Sequence, residues 1–171
     1  MKTILEMSAQ TYAELRAHLL PPGGELEEAA FLFVDATREK DAWRFRFREL
    51  AKLGSEDFVA QHADYLELAD STRARMIKRA HDLGASLTEV HSHVGPWRAA
   101  FSYSDISGLK ETVPNLWWRL KGRPYVAIVV SRASIDALAW IDSAETPVPL
   151  DEIQAGSEVL RPTHTAWEEW P

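Results

Sequence analysis

Apolar stretches alternate along the chain with polar, Gly- and Pro-containing segments, and their periods predict both strands and helices. Residues 29–34 form a nearly continuous apolar run, which is typical of a buried strand. Trp43, Phe45 and Phe47 alternate with arginines, which is the period of a strand with one buried face. The same criteria predict strands over residues 3–7, 29–34, 43–48, 86–91, 125–130 and 135–141.

Three helices are predicted from capping residues and from apolar positions that recur every three or four residues. Their predicted ranges are 8–20, 70–83 and 104–120. Gly84 ends the second helix, and Pro114 predicts a break in the third because proline has no amide hydrogen to donate. Residues 54–69 have no clear period, which predicts a long loop.

Helices and strands alternate without the strict repeat of a barrel, which predicts an α/β (α+β) fold with one mixed sheet and helices packed on its faces. Residues 1–145 form the predicted domain. Residues 146–171 are polar and rich in proline, and we expect them to form a C-terminal extension docked on the domain. Trp167 and Trp170 in this extension would contact either the domain or a second copy of the chain.

Composition narrows the possible partners and compartments. The 171 residues carry a net charge of −7, which argues against nucleic-acid binding because that function needs a basic face. The absence of cysteine excludes disulfides and thiolate metal sites. No apolar run reaches the length of a membrane span, and residues 1–6 lack a signal-peptide core. We therefore expect a cytoplasmic protein with no membrane partner; the sequence leaves its oligomeric state open.

Two histidines separated by one residue are the main candidate for chemistry. On a strand, His91 and His93 point to the same face and present two imidazoles side by side. Asp105 lies at the start of the third predicted helix and can return as a third, charged ligand. Zinc binds imidazole and carboxylate in this way, and a catalytic site leaves one position to water. The histidine pair alone is equally compatible with chance on a surface strand.

A longer pattern resembles the JAB/JAMM (MPN+) metalloproteases, whose signature is an upstream Glu, then H-[S/T]-H, then S-x-x-D. Here it consists of Glu28, His91-Ser92-His93, and Ser102 with Asp105. Residues 26–32 resemble the P-x-E-A-C-G-L-L segment of bacterial members, and this similarity selects Glu28 over Glu25 and Glu27.

The chain departs from the family pattern at several points. Val94 stands where the family usually has proline, Phe31 replaces a small residue, and the spacer before Ser102 is one residue longer than in the commonest eukaryotic members. None of these departures removes a ligand. They affect the expected loop shape and substrate fit.

The resemblance implies a curved, JAB/MPN-like sheet and one Zn²⁺ per chain held by His91, His93 and Asp105. It also implies that Glu28 activates a metal-bound water and that Ser102 stabilises the oxyanion, although Ser102 is equally suited to cap a helix. Trp97 is a candidate substrate contact, and residues 55–69 are either a substrate-gathering insertion or a plain surface loop.

The implied activity is that of a zinc-dependent isopeptidase or peptidase acting at the C-terminus of a ubiquitin-like protein, in deconjugation or in precursor processing. A compact chain of this type resembles stand-alone bacterial deconjugases, including those of antiviral ubiquitin-like conjugation systems. Two alternatives remain open. One is the processing of a sulfur-carrier precursor or conjugate, and the other is a non-catalytic MPN-type scaffold, although such scaffolds normally lack the metal ligands that this chain keeps.

Overall fold

The computed structural model describes residues 1–171. The chain forms eleven strands: β1 (Lys2–Met7), β2 (Ala29–Arg38), β3 (Ala42–Lys52), β4 (Phe58–Gln61), β5 (Leu66–Leu68), β6 (Ser86–Ser92), β7 (Tyr125–Val130), β8 (Ile135–Trp140), β9 (Val148–Pro149), β10 (Glu152–Ala155) and β11 (Glu158–Leu160). It also forms four α-helices: α1 (Ala9–Leu19), α2 (Asp70–Leu83), α3 (Tyr103–Arg119) and α4 (Thr165–Glu168).

Nine of the strands form one mixed sheet in the order β11-β10-β1-β3-β2-β6-β7-β8-β9. The pairs β1–β10, β1–β3 and β6–β7 are parallel, and the other neighbours are antiparallel. Strands β4 and β5 form a separate hairpin. The prediction of a single α/β domain with one mixed sheet is confirmed.

Helices cover both faces of this sheet. On one face, α2 and α3 pack side chains such as Ile77 and Val113 into a core of 21 buried residues. On the other face, Leu15 and Leu19 of α1 pack into a second core of 17 buried residues. Strand β2 contributes to both cores because its successive side chains point to opposite faces. The continuous apolar run that predicted this strand therefore reflects burial on two sides.

The structure differs from two predictions, the helix break at Pro114 and the long loop over residues 54–69. Helix α3 continues through Pro114, with Val113 and Leu116 buried in the core on either side of it. The segment predicted as a loop over residues 54–69 contains a 3₁₀ turn (Ser55–Asp57) followed by β4 and β5. The buried Asp57 accepts a hydrogen bond from the amide of Gly54 and another from the guanidinium of Arg75 in α2. It thereby connects the 3₁₀ turn to that helix.

The C-terminal residues take part in the main sheet. Strand β10 pairs in parallel with β1, and β11 pairs with β10 at the edge. Trp170 packs its ring against that of Trp140, with the ring centroids 5.7 Å apart. The segment predicted as a docked extension, 146–171, thus supplies three strands and a helix to the same layered structure.

The longest helix, α3, has 17 residues, and no helix combines the length and the hydrophobicity needed to cross a bilayer.

Candidate metal centre

The two histidines lie at the C-terminal end of β6, next to the start of β2. His91 pairs with Ala29 across the antiparallel ladder, so the two residues face the same side of the sheet. The amide of His93 donates a hydrogen bond of 2.9 Å to the carbonyl of Val130 at the end of β7. Both imidazoles are therefore held by the backbone of the central strands, and their Nε2 atoms lie 3.2 Å apart.

Asp105 reaches the histidines from the first turn of α3. Its Oδ2 lies 3.2 Å from Nε2 of His93 and 3.3 Å from Nε2 of His91. The same oxygen accepts a 2.8 Å hydrogen bond from the amide of Ser102, while the Ser102 hydroxyl accepts one from the amide of Asp105. This reciprocal capping box fixes the carboxylate, so the three side chains predicted as ligands lie together in one cluster.

The acidic residue beside this cluster is Glu27, and the selection of Glu28 needs correction. Glu27 is 4% exposed, and its Oε1 lies 3.6 Å from Nε2 of His93. Glu28 instead binds through its backbone, because its amide donates to the hydroxyl of Ser92 and its carbonyl accepts from the amide of Ser92. The structure thus brings Glu27 to the histidines and leaves the Glu28 side chain outside the cluster.

Strand parity explains why Glu27 occupies this position. Side chains two residues apart on an extended chain share a face, so Glu27 faces the same side as Ala29 and hence as His91. Glu28 has the parity of Ala30, which packs in the core on the opposite face. If the pairing of His91 with Ala29 had been known, counting back two residues from Ala29 would have identified Glu27.

The β4–β5 hairpin positions Glu27 through its backbone. The side-chain amide of Gln61 donates a hydrogen bond to the carbonyl of Glu27, and the amide of Glu27 donates to the carbonyl of His62, both at 2.9 Å. The segment predicted as a long loop therefore has a structural role at the site. It holds the acidic residue against the histidines.

Electrostatics in the cluster follow from burial and close charges. Burial lowers the pKa of His91, but the adjacent Asp105 carboxylate outweighs it and raises that pKa to about 9. Burial raises the pKa of Asp105, but His91 and His93 outweigh it and hold that pKa well below its usual range. Burial also raises the pKa of Glu27, and the two histidines oppose this shift. Glu27, His91 and His93 form a group that could hold a metal ion.

Ser102 and Trp97 are the two remaining residues with a predicted role at the site. Ser102 is exposed and acts as the N-cap of α3, which is one of its two predicted roles; its hydroxyl hydrogen stays free to donate. Trp97, in the connection between β6 and α3, is 74% exposed. A Cβ added to Gly95 would lie 2.0 Å from a Trp97 ring carbon, so this approach requires glycine. The predicted substrate contact of Trp97 stays a prediction.

A cavity of about 450 Å³ opens beside His91 and Asp105. It lies between β5 and α3, over residues 29–31 of β2 and 89–91 of β6. Strand β5 pairs only with β4, so its other edge is free, and residues 65–68 line the cavity. The site therefore combines a cluster of possible metal ligands with an adjoining space of ligand size.

Comparison of the chain with models of protein families and with characterised proteins found no match.

Proposed function

We propose that this protein is a zinc-dependent peptidase or isopeptidase that cleaves at the C-terminus of a ubiquitin-like protein. The observation that carries the proposal is the triangle of His91 Nε2, His93 Nε2 and Asp105 Oδ2, with sides of 3.2, 3.2 and 3.3 Å, next to the buried carboxylate of Glu27. The resemblance to the JAMM signature suggests the substrate class.

The triangle fits zinc by its dimensions. Zinc binds nitrogen and oxygen ligands at about 2.0–2.1 Å, so two ligands of a tetrahedron are about 3.3–3.4 Å apart. The three separations in this site agree with that value to within about 0.2 Å. Two neutral imidazoles and one carboxylate would fill three positions, and the fourth stays open, as in catalytic zinc sites.

Zinc supplies Lewis acidity when bound, because it polarises a carbonyl oxygen and lowers the pKa of water in its open position. Glu27 is suited to take the proton from that water and to pass it to the leaving amine. Its side chain accepts no hydrogen bond from the protein, and burial raises its pKa, so both oxygens are available for proton transfer. Ser102 keeps a free hydroxyl hydrogen beside the ligand Asp105 and can donate it to an oxyanion.

The cavity supports an extended peptide as the substrate. The free edge of β5 offers unpaired backbone groups, and a substrate strand that pairs with them would run along the cavity toward His91. This arrangement fits the flexible C-terminus of a ubiquitin-like protein.

The proposal is tested by the cleavage of a panel of fusions in which ubiquitin-like proteins or sulfur carriers precede a reporter. We expect wild-type protein with zinc to release the reporter from at least one fusion. His93→Ala should abolish release and zinc binding, whereas His81→Ala, on the exposed face of α2, should alter neither. If wild-type protein binds zinc but cleaves no fusion, the substrate class is wrong. If His93→Ala cleaves normally, the metal site is wrong.

A further inference from the structure

Three arginines from separate parts of the chain come together at one end of the sheet. Arg98 lies in the connection between β6 and α3, Arg132 in the turn between β7 and β8, and Arg16 in the last turn of α1. The amide of Ala99 donates a 2.8 Å hydrogen bond to the hydroxyl of Ser134, which joins the first two segments. The guanidinium of Arg16 donates to the carbonyl of Arg132 at 3.5 Å. These three arginines are called the arginine surface below.

The arginine surface has no acidic partner within the protein. Arg98 and Arg132 are exposed, Arg16 is half-buried, and none of the three forms an ion pair of 4 Å or less. Glu28, whose parity directs it to the sheet face covered by α1, forms no such pair with them either. Six other arginines do have carboxylate partners; they are Arg44, Arg46, Arg48, Arg75, Arg79 and Arg161. In a chain with a net charge of −7, three adjacent cations without counter-ions attract carboxylates.

The arginine surface adjoins the metal cluster on the side away from the cavity. The amide of His93 donates to the carbonyl of Val130, which is two residues before Arg132. The cavity instead reaches the cluster through His91 and Asp105, and none of the segments that carry the three arginines lines it. The metal cluster therefore lies between the cavity and the arginine surface.

Trp97 adds an aromatic side chain next to Arg98. The ring packs on the main chain of Gly95, where an added Cβ would lie 2.0 Å from a ring carbon, yet the residue is 74% exposed. The ring is thus held against the chain while most of its surface is open to a partner. Trp and Arg are the residue types most enriched among those that dominate binding energy at interfaces. This pairing is typical of a binding surface.

We propose that the arginine surface binds acidic side chains in the part of the substrate that follows the scissile bond. A substrate tail that runs along the cavity to His91 continues, beyond the metal cluster, past His93 and over this surface. An extended chain advances about 3.3 Å per residue, so the recognised side chains belong to the first four or so residues after the bond. The guanidinium fork matches the geometry of a carboxylate. This inference rests on the proposed peptidase function.

The test measures peptide binding separately from turnover. Acetylated heptapeptide amides carry three central Glu, Gln or Lys residues between alanines, and NMR titration of the zinc-supplemented protein gives their dissociation constants. We expect the Glu peptide to bind at least about fivefold more tightly than the Gln peptide, as two or three exposed ion pairs together provide, and the Lys peptide to bind most weakly. Amide shifts should concentrate at residues 97–99 and 131–134. Equal binding of the Glu and Gln peptides, or tighter binding of a thymidine hexanucleotide than of the Glu peptide, would overturn the proposal.

Variants attribute the preference to these arginines. The double variant Arg98→Glu/Arg132→Glu should bind the Lys peptide most tightly. Arg38→Glu/Arg119→Glu is the matched control, because it reverses two exposed arginines without ion pairs at the far ends of β2 and α3, and it should keep the Glu preference. Arg98→Gln/Arg132→Gln should lower the preference to about twofold or less even if the charge reversal unfolds the protein. A Glu preference that persists in the Gln double variant would refute the proposal.

Turnover of fusions separates this inference from the peptidase function. Fusions that place three Glu or three Gln residues directly after the cleavage point should differ in kcat/KM in favour of Glu. Binding of the Glu peptide without cleavage of any fusion would reject the peptidase function and keep the arginine surface as a binding site. Cleavage without a Glu preference in either assay would reject the arginine surface and keep the peptidase function.

Discussion

Two buried carboxylates, Glu27 at the candidate metal centre and Asp136 in β8, differ in the hydrogen bonds that they accept. Glu27 is 4% exposed and Asp136 is fully buried, and burial raises the pKa of both. Asp136 accepts hydrogen bonds of 3.0 Å from the backbone amides of Ala137 and Ala166. The side chain of Glu27 accepts none, and its close polar neighbour is Nε2 of His93 at 3.6 Å.

This difference separates a structural carboxylate from one that is available for chemistry. The two amides compensate the burial of Asp136, and through them it joins β8 to α4 near the C-terminus. Glu27 has the cost of burial without this compensation, and its carboxylate lies beside the imidazoles of the candidate metal centre. A metal centre with its water and substrate would satisfy Glu27, whereas Asp136 needs nothing more.

The largest expected effect is the loss of activity in Glu27→Gln. This change keeps the size of the side chain but removes the proposed base, so the proposed hydrolysis should slow by about 100- to 10,000-fold. The melting temperature should change little. Glu28→Gln is the matched control, and because Glu28 binds only through its backbone it should stay within about threefold of wild type. Reporter release from the cleaved fusion measures both variants. Equal losses in the two would contradict the assignment of Glu27.

The opposite pattern is expected for Asp136→Ala. Two buried amides lose their acceptor, and each unsatisfied group costs about 1–3 kcal/mol, so the free energy of unfolding should fall by about 2–6 kcal/mol. Activity per folded molecule should be unchanged. Urea denaturation measures the loss, with the exposed Asp142→Ala as a control that should change stability little. A loss no larger than that of the control would show that the comparison of the two carboxylates is wrong.

A smaller effect is expected in the pH dependence of zinc binding. The pKa of His91 without metal is about 9, so it carries a proton at pH 7 that zinc must displace. Zinc affinity should rise by about tenfold per pH unit up to pH 9 and then level off. Calorimetric titration in a pH series measures this slope. A flat profile between pH 7 and 9 would contradict the coupling of His91 to Asp105.

The same pKa predicts the stability of the chelator-treated protein. Because the pKa of His91 lies above its unfolded value of 6.5, the stabilisation it contributes is complete below pH 6.5 and is lost as the pH rises through 9. The melting temperature of the metal-free protein should therefore fall across this range. His91→Ala should remove this dependence, and its persistence in that variant would assign it to another group.

The sequence predicted the elements whose signals are local. The alternation of Trp43, Phe45 and Phe47 identified β3, and Gly84 ends α2 in the left-handed conformation with φ of 64°. Hydrogen bonding across the ladder extended β2 beyond its apolar run to Arg38, because β3 supplies partners there. Strands β10 and β11 were missed because β10 pairs with β1, which is about 150 positions away in sequence, and β11 pairs only with β10.

For the candidate site, too, the features with local signals were predictable from the sequence and the one that depends on distant pairing was not. His91 and His93 share a face through strand parity alone, and Asp105 lies close to them because its helix begins beside the strand end. The identity of the acidic residue depended on which side chain of an extended segment faces His91. The answer depends on the register between strands that are distant in sequence, and the family pattern selected Glu28, one residue away from Glu27. A shift of one residue reverses the face of every side chain in a strand.

The location of zinc in crystals of the protein, from anomalous diffraction, tests the central claim most directly. We predict one ion at about 2.0–2.1 Å from Nε2 of His91, Nε2 of His93 and Oδ2 of Asp105, with the carboxylate of Glu27 close by but outside the ligand distance. An ion held by Glu27 in place of Asp105 would contradict the role of Glu27 as the base. Zinc bound elsewhere on the chain would contradict the site itself.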